Sequence, residues 1–324
     1  MSKRMAIAAA LVALVAATAC SSSSNNQRPM RVAFLRSVAT LDGNAPFDRE
    51  LRAKGFVLGR NLQYVQLDPE HEVHVEPEDI RRTVDEWLRD GIDLIVALSS
   101  TAAEIAANAA PQTPVLFLVN DPVAVGLVSD PARPDRNLTG VTFRIPADRT
   151  LSLARQAMPG LALIGILMPG SDPAGPPAHK AMAAAAQSAG LESTTETFSG
   201  PDDIRRAIAS LHGRGAQVVV VVNAPTSIRY LSMIEPAVSA VGLPIIANTS
   251  LATQALIVLE PNVEELLGRL GRQAARLLSG ISPADIPVEN PTDFRVVLNS
   301  KVAAELGIPA LSTDLLRQAD LVVR

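Results

Sequence analysis

Only one of the 324 residues is a cysteine, Cys20, so the chain cannot form an internal disulfide. Aromatic residues are scarce too, at 3 % against 48 % hydrophobic residues overall. The core must therefore be aliphatic, built from Ala, Val, Leu and Ile. Basic residues are not in excess: 29 Lys and Arg face 33 Asp and Glu, a formal charge of −4. That balance gives no electrostatic case for nucleic acid, which calls for a basic face. Beyond the N-terminus no apolar run approaches the roughly 20 residues of a membrane-spanning helix. The most apolar later stretch, 218–222, is strand-sized. No Gly-x-Ser-x-Gly elbow, P-loop or dinucleotide glycine fingerprint occurs. His71 and His74 lie in Glu70-His-Glu-Val-His74, which is not the His-Glu-x-x-His spacing of zinc hydrolases, and they read as a surface loop. The sequence thus predicts no catalytic residue, no metal and no cofactor.

What is present begins at the N-terminus. Lys3 and Arg4 precede an apolar stretch over 5–19, which closes Ala17-Thr18-Ala19-Cys20 and gives way to a polar string over 21–27. A short charged region, an apolar region and small residues before a cut describe a secretory signal. With cysteine first after the cut, the pattern resembles a bacterial lipoprotein lipobox, with Ala17 where lipoboxes usually carry Leu. The resemblance implies a signal peptide over 1–19, a lipid on Cys20 (palmitate among its chains) and a flexible tether over 20–29. The mature protein would then sit in the cell envelope, outside the cytoplasm, held to the bilayer through acylated Cys20. An ordinary cleaved signal and a retained anchor are the alternatives. Removal of 1–19 leaves 305 residues, enough for two domains, and takes the charge to −6 with the loss of Lys3 and Arg4.

Strand and helix signals then alternate. Strands are predicted over 31–35, 62–67, 92–98, 114–119, 162–168, 191–197, 216–222 and 243–247. Helices are predicted over 46–54, 77–90, 177–189, 201–211, 228–241 (kinked at Pro236) and 263–279. The helix over 77–90 is the clearest. Pro77 suits its first turn and Gly91 its stop, while Ile80, Val84 and Leu88 make one apolar stripe with Trp87 beside it. Thr101-Ala-Ala-Glu104 matches a helix capping box with Thr101 as the cap. Such alternation implies an α/β architecture of doubly wound parallel sheets. The sets before about Gly140 and after about Pro146 form two units.

Several stretches carry a resemblance. They are Asp121-Pro-Val-Ala-Val-Gly-Leu-Val128, then Arg133-Pro134 with Asn137-Leu-Thr-Gly-Val141, and the early turn Gly55-Phe-Val-Leu-Gly-Arg-Asn61. The longest is Pro283-Ala-Asp-Ile-Pro-Val-Glu-Asn-Pro-Thr-Asp-Phe-Arg-Val-Val-Leu-Asn299, continuing through Lys301 to Asp320. In order and spacing these resemble a family of ABC-transporter substrate-binding proteins, some of which bind aromatic amino acids. The resemblance implies a periplasmic binding protein fold of type I: two doubly wound parallel-sheet lobes, a hinge and an interlobe cleft. The expected division is 30–143 with 259–286 in the N-terminal lobe and 144–258 with 287–324 in the C-terminal lobe. The function implied is capture of a small molecule, such as an amino acid or similar polar metabolite, and its delivery to an ABC permease. An envelope α/β hydrolase and a ligand-sensing module without transport are the rival readings. The chain departs from the family where relatives often carry aromatic-Asn-Pro and it has Met168-Pro169-Gly170. That departure argues against an aromatic ligand, which would want stacking partners.

Ligand contacts are expected in the loops after the strands, because open α/β sheets bind ligands outside the carboxyl ends of their strands. The candidates in the first lobe are Ser37, the loop Ser99-Ser100-Thr101 and the pair Asn120-Asp121. The hydroxyls and free N–H groups of the second of these suit an anionic oxygen, and Asp121 suits an ammonium group. In the second lobe they are Gly170, Ser171, Asp172, Asn223, Thr226, Asn248 and Thr249. Each has a plainer reading as turn or cap chemistry.

Overall fold

A computed structural model of the chain describes residues 28–35, 45–66, 77–173 and 175–324. The expected signal, Cys20, Ser37, His71 and His74 lie outside them.

A first sheet collects β1 (Met30–Leu35), β2 (Leu62–Gln66), β3 (Leu94–Ala97), β4 (Val115–Val119) and β5 (Leu138–Thr142), all parallel, in the order β2-β1-β3-β4-β5. Its helices are α1 (Ala45–Ala53), α2 (Pro77–Arg89) and α3 (Ser100–Ala109). β3 and β4 are buried along their whole length, as continuous apolar strands covered on both faces must be. α2 and α3 cover one face, where Ile80, Val84 and Trp87 meet Ala102, Ala103 and Ala106 against Ala33, Ile95 and Phe117.

The second sheet follows the crossover at 143–146. It contains β6 (Leu163–Pro169), β7 (Glu192–Phe198), β8 (Val219–Val221), β9 (Ile245–Ala247), β10 (Ile257–Pro261), β11 (Phe294–Asn299) and β12 (Leu321–Val323), in the order β12-β11-β10-β9-β8-β6-β7. All neighbours are parallel except β10 and β11, which run antiparallel. The helices are α4 (Ala147–Ala157), α5 (Gly175–Ser188), α6 (Pro201–Gly213), α7 (Pro225–Arg229), α8 (Leu231–Ala240), α9 (Val263–Leu278), α10 (Ser300–Glu305) and α11 (Thr313–Arg317).

The helix predicted over 228–241 is two. The chain breaks at Tyr230, which ends α7 and begins α8 with φ −102 and ψ 11. Pro236 stays inside α8 on its exposed side, where water can satisfy the carbonyl that the missing N–H leaves unpaired.

α9 returns to the first sheet. Leu266, Leu267, Leu270 and Ala274 pack with Val32, Phe34, Phe47 and Leu51 on the face opposite α2 and α3. The approach to α1 is close: a Cβ added at Gly271 would lie 2.6 Å from the Phe47 carbonyl oxygen. Leu259 to Pro261, which the expected division puts with the first lobe, pair with Val296 to Phe294 in the second sheet. The chain crosses at Asn262, whose side chain caps α9 by accepting from the N–H groups of Glu264 and Glu265. It crosses back over 290–293. There the Asn262 N–H donates to the Asp293 carbonyl at 3.0 Å, so the second and third crossings are bonded to each other.

Candidate functional site

The family-like segments have local physical reasons. In the early turn Gly55 and Gly59 hold φ of 89 and 79, a left-handed backbone that glycine tolerates. Asn61 ties that turn, accepting from the Val57 N–H and donating to the Gly55 carbonyl. After β4, Asp121 accepts from the Ala124 N–H at 3.0 Å, and the turn it starts delivers buried Leu127 and Val128 into the core.

A pocket opens where three strands end. From the first lobe it takes Asn120 and Asp121, just past β4. The first crossing supplies Arg144 and Ile145, and α4 supplies Ala147 and Thr150. From the second lobe come Asn223 beyond β8, Asn248 beyond β9, and the α5 face that carries Ala178, Ala181 and Met182. Four of the sequence candidates therefore meet in one place: Asn120, Asp121, Asn223 and Asn248.

The polar groups there are arranged in pairs. One Asp121 oxygen serves the turn, while the other lies 4.0 Å from the Arg144 guanidinium. The Arg144 side chain is 63 % exposed and that of Asp121 26 %, so this is a loose pair at the mouth. Asn223 donates to the Asn248 carbonyl at 3.4 Å, and Asn248 donates to the Leu259 carbonyl at 2.9 Å. The loop carrying Asn248 is clamped by two buried carboxylates. Glu260 accepts from the Ser250 N–H at 2.6 Å and Glu235 from the Gln254 N–H at 2.7 Å. Burial pushes the Glu235 carboxyl up, and its hydrogen bonds to the Gln254 N–H and the Thr253 hydroxyl oppose that shift.

The other described candidates stand outside the pocket wall. Ser99 is buried and caps α3, its hydroxyl accepting from the Ala102 N–H at 3.2 Å. The expected cap at Thr101 is thereby corrected: β3 ends at Ala97, so the helix starts earlier and Thr101 falls inside its first turn beside Ser100. Gly170 continues the sheet edge, donating to the Phe198 carbonyl, and Ser171 beside it is exposed. Asp172 accepts from both the N–H and the hydroxyl of Thr226, which ties the loop after β6 to the start of α7. The Thr249 hydroxyl accepts from the Leu251 N–H within its own turn. Arg144, Ile145 and the α5 face were not anticipated. A hinge residue and a helix flank carry no strand-end signal, and only the assembled fold turns them toward the cleft.

Comparisons with known proteins agree with this geometry. The chain is 27 % identical over 299 residues to a tyrosine-binding protein of Clostridioides difficile (strain R20291), covering 90 % of this chain and 84 % of that one. Its fold is similar to that of a conserved domain protein from Vibrio cholerae O1 biovar El Tor, with a TM-score of 0.80 at 18 % identity over 91 % of this chain and 99 % of that one. A domain from Streptococcus pneumoniae solved in complex with L-Trp is similar with a TM-score of 0.75 at 21 % identity, covering 91 % and 100 %. Two α/β lobes, a pocket at strand ends between them and a family model matching residues 50–323 together place the chain among the ABC transporter substrate-binding proteins, which are binders and not enzymes.

Proposed function

We propose that this chain is an extracytoplasmic lipoprotein that captures an amino acid or similar small polar metabolite in the interlobe pocket and hands it to an ABC permease. One observation carries the reading: the pocket draws Asn120 and Asp121 from one lobe, Asn223 and Asn248 from the other, and Arg144 from the segment joining them. A ligand held by all three is a ligand whose binding couples to the angle between lobes. A permease that recognises the closed arrangement then meets the protein only when it is loaded. Asp121 offers a carboxylate to an ammonium group, and the asparagine amides offer donors and acceptors that fix orientation. Ser37, Ser99, Ser100, Thr101, Gly170, Ser171, Asp172, Thr226 and Thr249 stay in the proposed set as strand-end groups that lobe closure can bring to the ligand.

Thermal unfolding against a solute library, amino acids first, tests capture. A ligand at 100 times its Kd stabilises by about 2.7 kcal/mol and should raise Tm by roughly 5 °C. A flat response to every solute would sink the reading.

Anchoring rests on the sequence around Cys20. Among the described residues no helix is long and apolar enough to cross a membrane. A lipid on Cys20 would keep the protein near its permease and raise the effective concentration there. Cys20→Ser should abolish palmitate labelling and release the protein from the membrane fraction. Labelling that survives the substitution contradicts acylation at Cys20.

A further inference from the structure

The few aromatic residues can all be placed. Phe34, Phe47 and Tyr64 form an edge-to-face cluster in the first lobe, with ring centroids 5.1 to 6.3 Å apart. Phe56 and Phe143 pack against that same core, and Trp87 and Phe117 fill the core on the other face of the sheet. In the second lobe Phe198 meets Tyr230 edge-on at 6.2 Å, and Phe294 lies under the Arg149 guanidinium. These are all ten aromatic side chains of the chain, and none lines the pocket. The stretch 36–44, which follows β1, reads Arg-Ser-Val-Ala-Thr-Leu-Asp-Gly-Asn and contains no ring to contribute.

The apolar part of the pocket wall is instead aliphatic, with Ile145, Ala178, Ala181, Met182, Val220 and Val222, and it stands beside the amides of Asn120, Asn223 and Asn248. At its mouth stand one carboxylate and one guanidinium, Asp121 and Arg144, 4.0 Å apart. A zwitterion carries the complementary pair, so its ammonium can take the Asp121 carboxylate and its carboxylate the Arg144 guanidinium, a charge-assisted arrangement on both sides. The rest of the ligand then meets this aliphatic surface and the flanking amides, and has no ring on which to stack.

We propose that the pocket selects α-amino acids with aliphatic side chains, of leucine, isoleucine or methionine size, over aromatic ones, with Arg144 as the carboxylate anchor. The proposal rests on the capture reading and narrows it.

Titration calorimetry of the mature chain with alanine, leucine, isoleucine, methionine, tyrosine and tryptophan tests it. Each buried methylene is worth roughly a fourfold gain, so leucine should bind roughly fiftyfold tighter than alanine, and tyrosine and tryptophan, with no ring to stack on, should bind more weakly than leucine. Arg144→Gln, at an exposed side chain, should leave the apo Tm unchanged and weaken leucine at least tenfold. The same substitution should leave isoamylamine, which has leucine's carbon skeleton without the carboxylate, within about twofold of its wild-type affinity, a split that a merely structural Arg144 would not produce. Aromatic amino acids binding as tightly as leucine would overturn the proposal while capture stands. So would binding of some other solute with no response to any amino acid. Equal losses for leucine and isoamylamine in Arg144→Gln would overturn the anchor. No binding of any solute would take down capture and this proposal together.

Discussion

Gly140→Ala should destabilise the protein by about 3 kcal/mol, at the upper end of what overpacking a close-packed core costs. Gly140 is the glycine of the family-like Asn137-Leu-Thr-Gly-Val141 segment and pairs across the sheet with Phe117. A Cβ there would lie 2.2 Å from the Phe117 carbonyl oxygen and 2.5 Å from its ring. Neither side can give way easily. Phe117 is fully buried beneath α3. β5 is held from outside by the stretch that leads into the third crossing: the Thr139 hydroxyl donates to the Ile286 carbonyl at 2.6 Å, the Glu289 N–H donates to the Gly140 carbonyl at 3.0 Å, and the Thr142 N–H donates to the Glu289 carbonyl at 2.8 Å. Relief of the clash therefore means pushing β5 against the stretch just before the segment that rejoins the lobes. Urea denaturation followed by circular dichroism should show an earlier midpoint, and Tm should fall by roughly 6 °C or more. Gly213→Ala is the control. Nothing lies within 4 Å of a Cβ there, at the end of α6, and alanine should be neutral or better by up to about 1 kcal/mol. A Gly140→Ala protein that melts with wild type would mean that the β4–β5 contact is looser than described.

The same strand explains what the sequence hid. α2 was legible because Pro77, Gly91 and the stripe at Ile80 and Val84 agree on one period, and it spans Pro77–Arg89. β5 was not. Its five residues, Leu-Thr-Gly-Val-Thr, carry two hydroxyls and a glycine and give no strand signal of their own, yet every one is buried. Their polarity is satisfied only by residues about 150 positions later, Ile286 and Asn290, a pairing no local window contains. β10 and β11 escaped for a related reason, since their antiparallel pairing joins two sides of an excursion into the other lobe. α4 was unread because its sequence, Ala-Asp-Arg-Thr-Leu-Ser-Leu-Ala-Arg-Gln-Ala, has no Gly stop and no side-chain cap. The parallel core, by contrast, followed from runs such as Ile-Val-Ala and Val-Leu-Phe-Leu-Val with turn signals between them. At the site, strand-end logic reached Asn120, Asp121, Asn223 and Asn248, because polar groups at carboxyl ends of parallel strands need only the alternation to be found. Arg144 needed the hinge, and Met182 needed to know which side of α5 faces the cleft.

Asp121→Asn should weaken the captured ligand by roughly 10- to 150-fold, the worth of a charge-assisted hydrogen bond of about 1.5–3 kcal/mol. The choice of asparagine matters. Asp121 serves two masters, accepting from the Ala124 N–H with one oxygen and facing Arg144 with the other. Alanine would remove both, and a loss of binding could then come from a slackened 121–128 turn that no longer seats Leu127 and Val128. Asparagine keeps a carbonyl oxygen for the Ala124 N–H and deletes only the charge. The apo Tm should therefore stay within about 1 °C while affinity falls, since the turn bond survives and the Arg144 pair is too exposed to carry much stability. Double substitution with Arg144→Gln adds a sharper arm. If the ligand bridges the two side chains, each single change removes one of its charges' partners, and the double change should cost clearly more than either single one, short of strict additivity because the two side chains are neighbours on one ligand. If Asp121 acts only by holding Arg144 in place, the second change should cost almost nothing once the first is made. Asp121→Asn binding its ligand as tightly as wild type would return Asp121 to the plain role of a turn former.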